Sequence, residues 1–96
     1  MKVRRKEPVR EYVRWEKHGD HPAVRVPRPD EHEWVKKAGA SPETHGILYT
    51  IGKVELLVSP GHHILSVPPE HNAGQVGYYV HAVTDEVFWE HYELVE

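Results

Sequence analysis

The chain of 96 residues contains no cysteine. This excludes disulfide staples, thiolate zinc sites, iron–sulfur clusters and cysteine nucleophiles, and it leaves the redox compartment unread. No apolar run approaches the ~18 residues of a membrane helix, and the N-terminus is charged rather than signal-like. A surplus of positive charge is also missing. Twelve Lys and Arg stand against 15 Asp and Glu, a formal net charge of −3. That rules out a histone-like polycation and disfavours duplex DNA as a partner, although a local basic patch remains compatible with it. There is no internal repeat and no low-complexity tract. The length predicts one domain with a modest core.

Two residue types are abundant. Valine contributes 14 residues against 5 leucines and 3 isoleucines, a bias toward strands because β-branched side chains pack well on a pleated surface. Histidine contributes nine. Full protonation of those nine would carry the formal charge from −3 to +6, so the chain is charge-sensitive between about pH 5 and 8. The charge is uneven along the chain. Residues 1–28 carry a net +5, and residues 40–96 carry a net −7 with Lys53 as their single Lys or Arg.

Periodicity places the elements. In Val9–Trp15, Val9, Val13 and Trp15 fall on one strand face, while Arg10, Tyr12 and Arg14 fall on the other, outer face. A short edge strand is expected over 23–26. Asp30 reads as a helix N-cap with Glu33 completing a capping box, Trp34 facing the core and Gly39 at the stop. Residues 45–51 and 54–59 flank Gly52-Lys53, the signature of a two-residue hairpin turn. That register would put Ile47, Tyr49, Ile51, Val54, Leu56 and Val58 on one apolar face. Ser59-Pro60-Gly61-His62 reads as a type II turn. A returning third strand would then add His63, Leu65 and Val67 to the same face. Strand character resumes over 78–83. Thr84 caps a second helix, with Asp85 and Glu86 in its first turn as helix-dipole charges and Phe88 and Tyr92 as i,i+4 neighbours, and a last short strand is expected over 93–95.

The predicted fold is a small α+β domain built on an antiparallel, strongly twisted sheet. Its centre is a three-strand meander over 45–67, and two short helices lie near 30–38 and 85–91. One domain spans 1–96, with residues 1–8 as a flexible basic arm.

Catalytic and metal signatures are weak. His62 and His63 are adjacent and point to opposite strand faces, and neither His-x-His nor HExxH occurs. His91-Tyr92-Glu93 matches one element of a zinc deaminase, but the Pro-Cys-x-x-Cys that must accompany it is absent. No nucleophile elbow, Walker motif or dinucleotide glycine motif is present. Neither an enzyme nor a resident metal or cofactor is expected. The best site candidate is an anion-binding face, because cations interleaved with an aromatic suit phosphates and bases. Its residues are Arg10, Tyr12, Arg14, Arg25 and His62.

Several motifs together resemble a family of small tailed-phage and prophage proteins. The opening Tyr12-Val13-Arg14-Trp15 is similar to that family's Val-Arg-Trp-like strand end. Residues 58–65, Val-Ser-Pro-Gly-His-His-Ile-Leu, resemble its PGDWI-type turn and strand. Tyr79 matches a later strand tyrosine, and Glu86-Val87-Phe88 with Tyr92-Glu93 matches its close. The chain departs from the pattern at His62 and His63, where the family has Asp and Trp. It also has one extra residue before Val87 and a different insert over 17–45. The aromatic usual at position 63 implies a packed, buried role for His63. The resemblance further implies a non-enzymatic accessory protein in the cytoplasm of an infected bacterial host, inhibiting a host defence protein by direct contact. Two alternatives are a homo-oligomer that sequesters a small anionic nucleotide signal and a virion structural or assembly factor.

Overall fold

The computed structural model describes residues 2–4 and 9–94, without the side chains of Val9, Arg10 and His71. The main sheet contains β1 (Lys2–Arg4), β2 (Val9–Trp15), β5 (His62–Val67), β6 (Gly77–His81) and β7 (Glu93–Leu94). Its order is β6-β5-β2-β1-β7, antiparallel at every pairing. β3 (Gly46–Tyr49) and β4 (Glu55–Val58) form a separate two-stranded sheet. The helices are α1 (His32–Lys37) and α2 (Asp85–His91). The architecture is α+β, as expected.

Register explains why this sheet is apolar on both faces. Tyr12 lies opposite Leu65 and Arg14 opposite His63, so these four share one face. Val13 opposite Ile64 and Trp15 opposite His62 define the other. On that second face Trp15 and Ile64 pack with Val24, Leu48 and Val58, so the β3–β4 hairpin covers it. On the first face Val3, Tyr12 and Leu65 pack with Phe88, so α2 covers it. Period-two alternation reports which residues share a face; it does not report whether that face is covered. The face carrying Tyr12 and Arg14 was expected to be the outer one, and instead Tyr12 is buried beneath α2.

The predicted meander divides in two. β3 and β4 pair as expected but one residue out of the predicted register, with Leu48 opposite Leu56 and Gly46 opposite Val58. The left-handed residue in the loop is Lys53, at φ +63°, rather than Gly52. Thr50 N–H donates to Val54 C=O at 2.9 Å and Lys53 N–H to Thr50 C=O at 2.9 Å, closing a three-residue loop. A one-residue slip moves every side chain to the opposite face. The observed register buries Leu48 and Val58 together against Trp15 and leaves Tyr49, Val54 and Leu56 exposed. Gly46 is required there, because a Cβ at that position would run into the Val24 side chain and lie 3.3 Å from Trp15 Cζ2.

The type II turn forms where predicted. His62 N–H donates to Ser59 C=O at 3.0 Å, and Gly61 takes φ +92°, which only glycine adopts freely. Gly61 N–H also donates to Trp15 C=O at 2.7 Å, pinning the turn to the end of β2. A type II turn splays its strands instead of pairing them. β5 accordingly leaves β4 and pairs with β2 and β6. His63, Leu65 and Val67 therefore lie on the α2 side, away from the hairpin.

The termini and α1 also correct the reading. Lys2–Arg4 form a strand between β2 and β7, where a flexible basic arm was expected; residues 1 and 5–8 lie outside the described ones. The strand expected over 23–26 is reduced to a bridge of Arg25 with Ile47. A 3₁₀ turn, Pro29–Glu31, precedes α1, and the Glu31 carboxylate accepts from Arg28 N–H at 2.9 Å. That bond caps the 3₁₀ turn, and α1, whose N-cap position is Glu31, has no side-chain cap, so the predicted capping box of Asp30 and Glu33 does not form. α1 buries Val35 and leaves Trp34 46% exposed, not against the core. At α2 the predicted cap forms: Thr84 Oγ1 accepts from Val87 N–H at 3.3 Å.

Candidate functional site

α2 lays an aromatic stack on the sheet. Phe88 is sandwiched between His63 (centroids 4.1 Å, planes 8° apart) and Tyr92 (4.5 Å, 10°), the i,i+4 neighbour expected from spacing. Tyr12 closes the stack at 5.0 Å from Phe88. His63 is fully buried within it. Its Nδ1 lies 2.7 Å from Tyr12 Oη, and its Nε2 lies 3.2 Å from Asp85 Oδ1. The Asp85 contact lies off the axis of an aligned hydrogen bond, so it acts as electrostatic attraction. A proton on Nε2 suits the carboxylate beside it. Nδ1 then accepts from the Tyr12 hydroxyl, so the geometry favours one neutral tautomer.

The charges around this stack oppose one another. Burial pushes the His63 imidazole below its ordinary value and outweighs the pull of Asp85; Arg14 and His81 push the same way as burial. Burial, with Asp85, raises the Tyr12 phenol. Arg14 Nε donates to Asp85 Oδ1 at 2.8 Å and holds that carboxyl below the usual range.

Beside the stack lies an open cleft of about 540 Å³, formed where the 60–62 turn faces the start of α2. Its chemically active lining is Arg14, His62, Thr84, Asp85 and Glu86. Arg14 also pairs with Glu16. His62 Nδ1 accepts from Ser59 N–H at 3.0 Å, and burial holds the ring below its ordinary value. At neutral pH the Arg14 guanidinium is therefore paired with two carboxylates, Asp85 and Glu16, and Glu86 and a neutral imidazole line the same cleft. An incoming anion would have to displace partners that Arg14 already has.

The five predicted site residues separate. Arg14 and His62 line this cleft together. Tyr12 lies beneath it, hydrogen-bonded to His63. Arg10 is opposite Val3 in β1, and its side chain lies outside the described ones. Arg25 stands elsewhere, with NH1 and NH2 donating to the two Glu31 oxygens at 2.6 and 2.7 Å and NH2 also to Glu55 at 2.9 Å. That fork lowers the Glu31 carboxyl to about 2. Asp85, the residue that links the cleft to the buried histidine, was read from sequence only as a helix-dipole charge. Its proximity to Arg14 spans 71 positions, a separation that local spacing does not reveal. Among the described residues, no three His, Asp or Glu side chains converge as metal ligands. No helix of the described residues is long and apolar enough to cross a membrane. No protein-family model, curated protein or solved structure matches the chain.

Proposed function

We propose that this chain is a phage-encoded accessory protein that acts by binding rather than catalysis, docking on a host defence protein in the cytoplasm of the infected cell. The phage setting rests on the motif resemblance. The binding mode rests on one observation: Arg14 and Arg25 are neutralised within the fold, while the β3–β4 hairpin exposes large apolar side chains. Tyr49 is 58% exposed, Val54 53% and Leu56 42%. A phosphate at Arg14 or Arg25 would have to compete with the carboxylates those guanidiniums already hold, whereas a protein interface uses aromatic and aliphatic anchors. β4 pairs only with β3 among the described residues, so its other edge is open to a partner strand.

The test is affinity capture from infected or defence-expressing cells with the full chain as bait. The wild type should retain a host protein in a stoichiometric complex by native mass spectrometry. Val54→Asp with Leu56→Asp should release it, while Arg14→Glu should leave its affinity and salt dependence unchanged. Loss of the complex on Arg14→Glu, with the hairpin variant still bound, would return the argument to an anion-binding face.

A further inference from the structure

A second cavity, of about 400 Å³, lies between the β3–β4 loop and the loop over 72–76. Its volume falls within the ~300–1,000 Å³ usual for small-molecule sites. Two non-glycine residues of the described chain take positive φ, Lys53 at +63° and Ala73 at +50°. They belong to different loops, twenty positions apart, yet both line this cavity. A residue with a Cβ is strained in that region, and a glycine neighbours each of them, Gly52 and Gly74. Strain that a fold retains concentrates at ligand sites.

The lining is chemically specific. Tyr49 and Tyr78 offer aromatic surface, Asn72 and Gln75 offer amides, and Lys53 offers the single ammonium or guanidinium of residues 40–96. Unlike Arg14 and Arg25, the Lys53 ammonium and both amide side chains have no hydrogen-bond or ion-pair partner among the described residues. The walls are held together. Ile51 N–H donates to Tyr78 C=O at 2.9 Å, and the Tyr78 ring packs edge-on against buried His21.

We propose that this cavity binds a small planar heteroaromatic molecule carrying an anionic group, the chemistry of a nucleoside monophosphate. Stacking falls to the tyrosines, edge recognition to Asn72 and Gln75, and the anion to Lys53. This site is additional to the protein-binding hairpin face. Its failure is separable, because Lys53 is tested here, whereas Val54 and Leu56 test the protein contact.

The experiment is amide NMR titration of the full chain with AMP, GMP, CMP and UMP in turn, with inorganic phosphate as the control. At least one nucleotide should produce saturable shifts confined to residues 49–53 and 72–78. Lys53→Gly relieves the backbone strain, so it should melt higher than wild type and still bind that nucleotide about tenfold or more weakly. Lys53→Gln, which keeps the backbone and removes the charge, should weaken binding similarly. Four outcomes overturn the assignment. They are no saturable shift with any of the four nucleotides, shifts mapping to the Arg14–His62 cleft instead, undiminished affinity in both Lys53 variants, and phosphate binding as tightly as the nucleotide.

Discussion

Replacing Tyr12 with Phe removes one oxygen from an enclosed polar contact. Both partners are buried, with Tyr12 5% exposed and His63 0%. The hydroxyl is 2.7 Å from His63 Nδ1, and the other ring nitrogen is turned toward Asp85. Tyr12→Phe leaves the Nδ1 lone pair buried with no donor. Moving the proton to Nδ1 does not rescue it, because the ring would then present a lone pair to the Asp85 carboxylate. An orphaned buried polar group costs about 1–3 kcal/mol. In a domain of this size each kcal/mol moves Tm by about 4–8 °C, so a loss of about 2 kcal/mol lowers Tm by roughly 8–16 °C. The assay is thermal and urea unfolding at pH 7.5, where His63 is neutral, in two backgrounds. With His63 present the substitution should cost the full amount. With His63→Leu in place the orphan no longer exists, and Tyr12→Phe should cost less than about 0.5 kcal/mol, the difference being the coupling of the pair. A Tyr12→Phe variant that melts within about 2 °C of wild type would refute the reasoning, as would an equal cost in both backgrounds.

Acid should destabilise the fold progressively. Burial lowers His63, His21 and His62 relative to the unfolded chain. Their contribution is therefore complete above the unfolded value of about 6.5 and is lost as pH falls through the native values. Asp85 and Glu31, also lowered, extend the loss below about pH 4. A Tm unchanged from pH 7.5 to 5 would contradict this account of the histidines. Thr84→Ala removes the acceptor for Val87 N–H and should cost about 1 kcal/mol, read as a lower urea midpoint with unchanged slope. Gly46→Ala forces a methyl group against Val24 and Trp15 and should cost about 1–3 kcal/mol; wild-type stability would mean the hairpin sits farther from the sheet.

The local elements were legible in the chain, because their causes are local. Valine alternation marks β2, and Pro60-Gly61 dictates the turn that bears φ +92°. Thr84 with two acids marks the start of α2, and the i,i+4 spacing of Phe88 and Tyr92 anticipates their stack. The α+β class was legible on these grounds, whereas the buried role of His63 was implied by the motif resemblance rather than by local spacing. Tertiary structure decided what covers each surface and which distant side chains meet. Alternation along β2 sorted Tyr12 from Trp15, but only the arrival of α2 on the Tyr12 face made both faces interior. Gly52 suggested one hairpin register, and burial of Leu48 with Val58 imposed another, because a core contact outweighs a turn preference. The arginines of the proposed anion face were visible in sequence, whereas the pairing of Arg14 with Asp85 and of Arg25 with Glu31 and Glu55 arises from contacts between separate elements. Lys53 stood out as the single Lys or Arg of its half of the chain, but its meeting with Asn72 and Tyr78 depends on how the hairpin docks on β6.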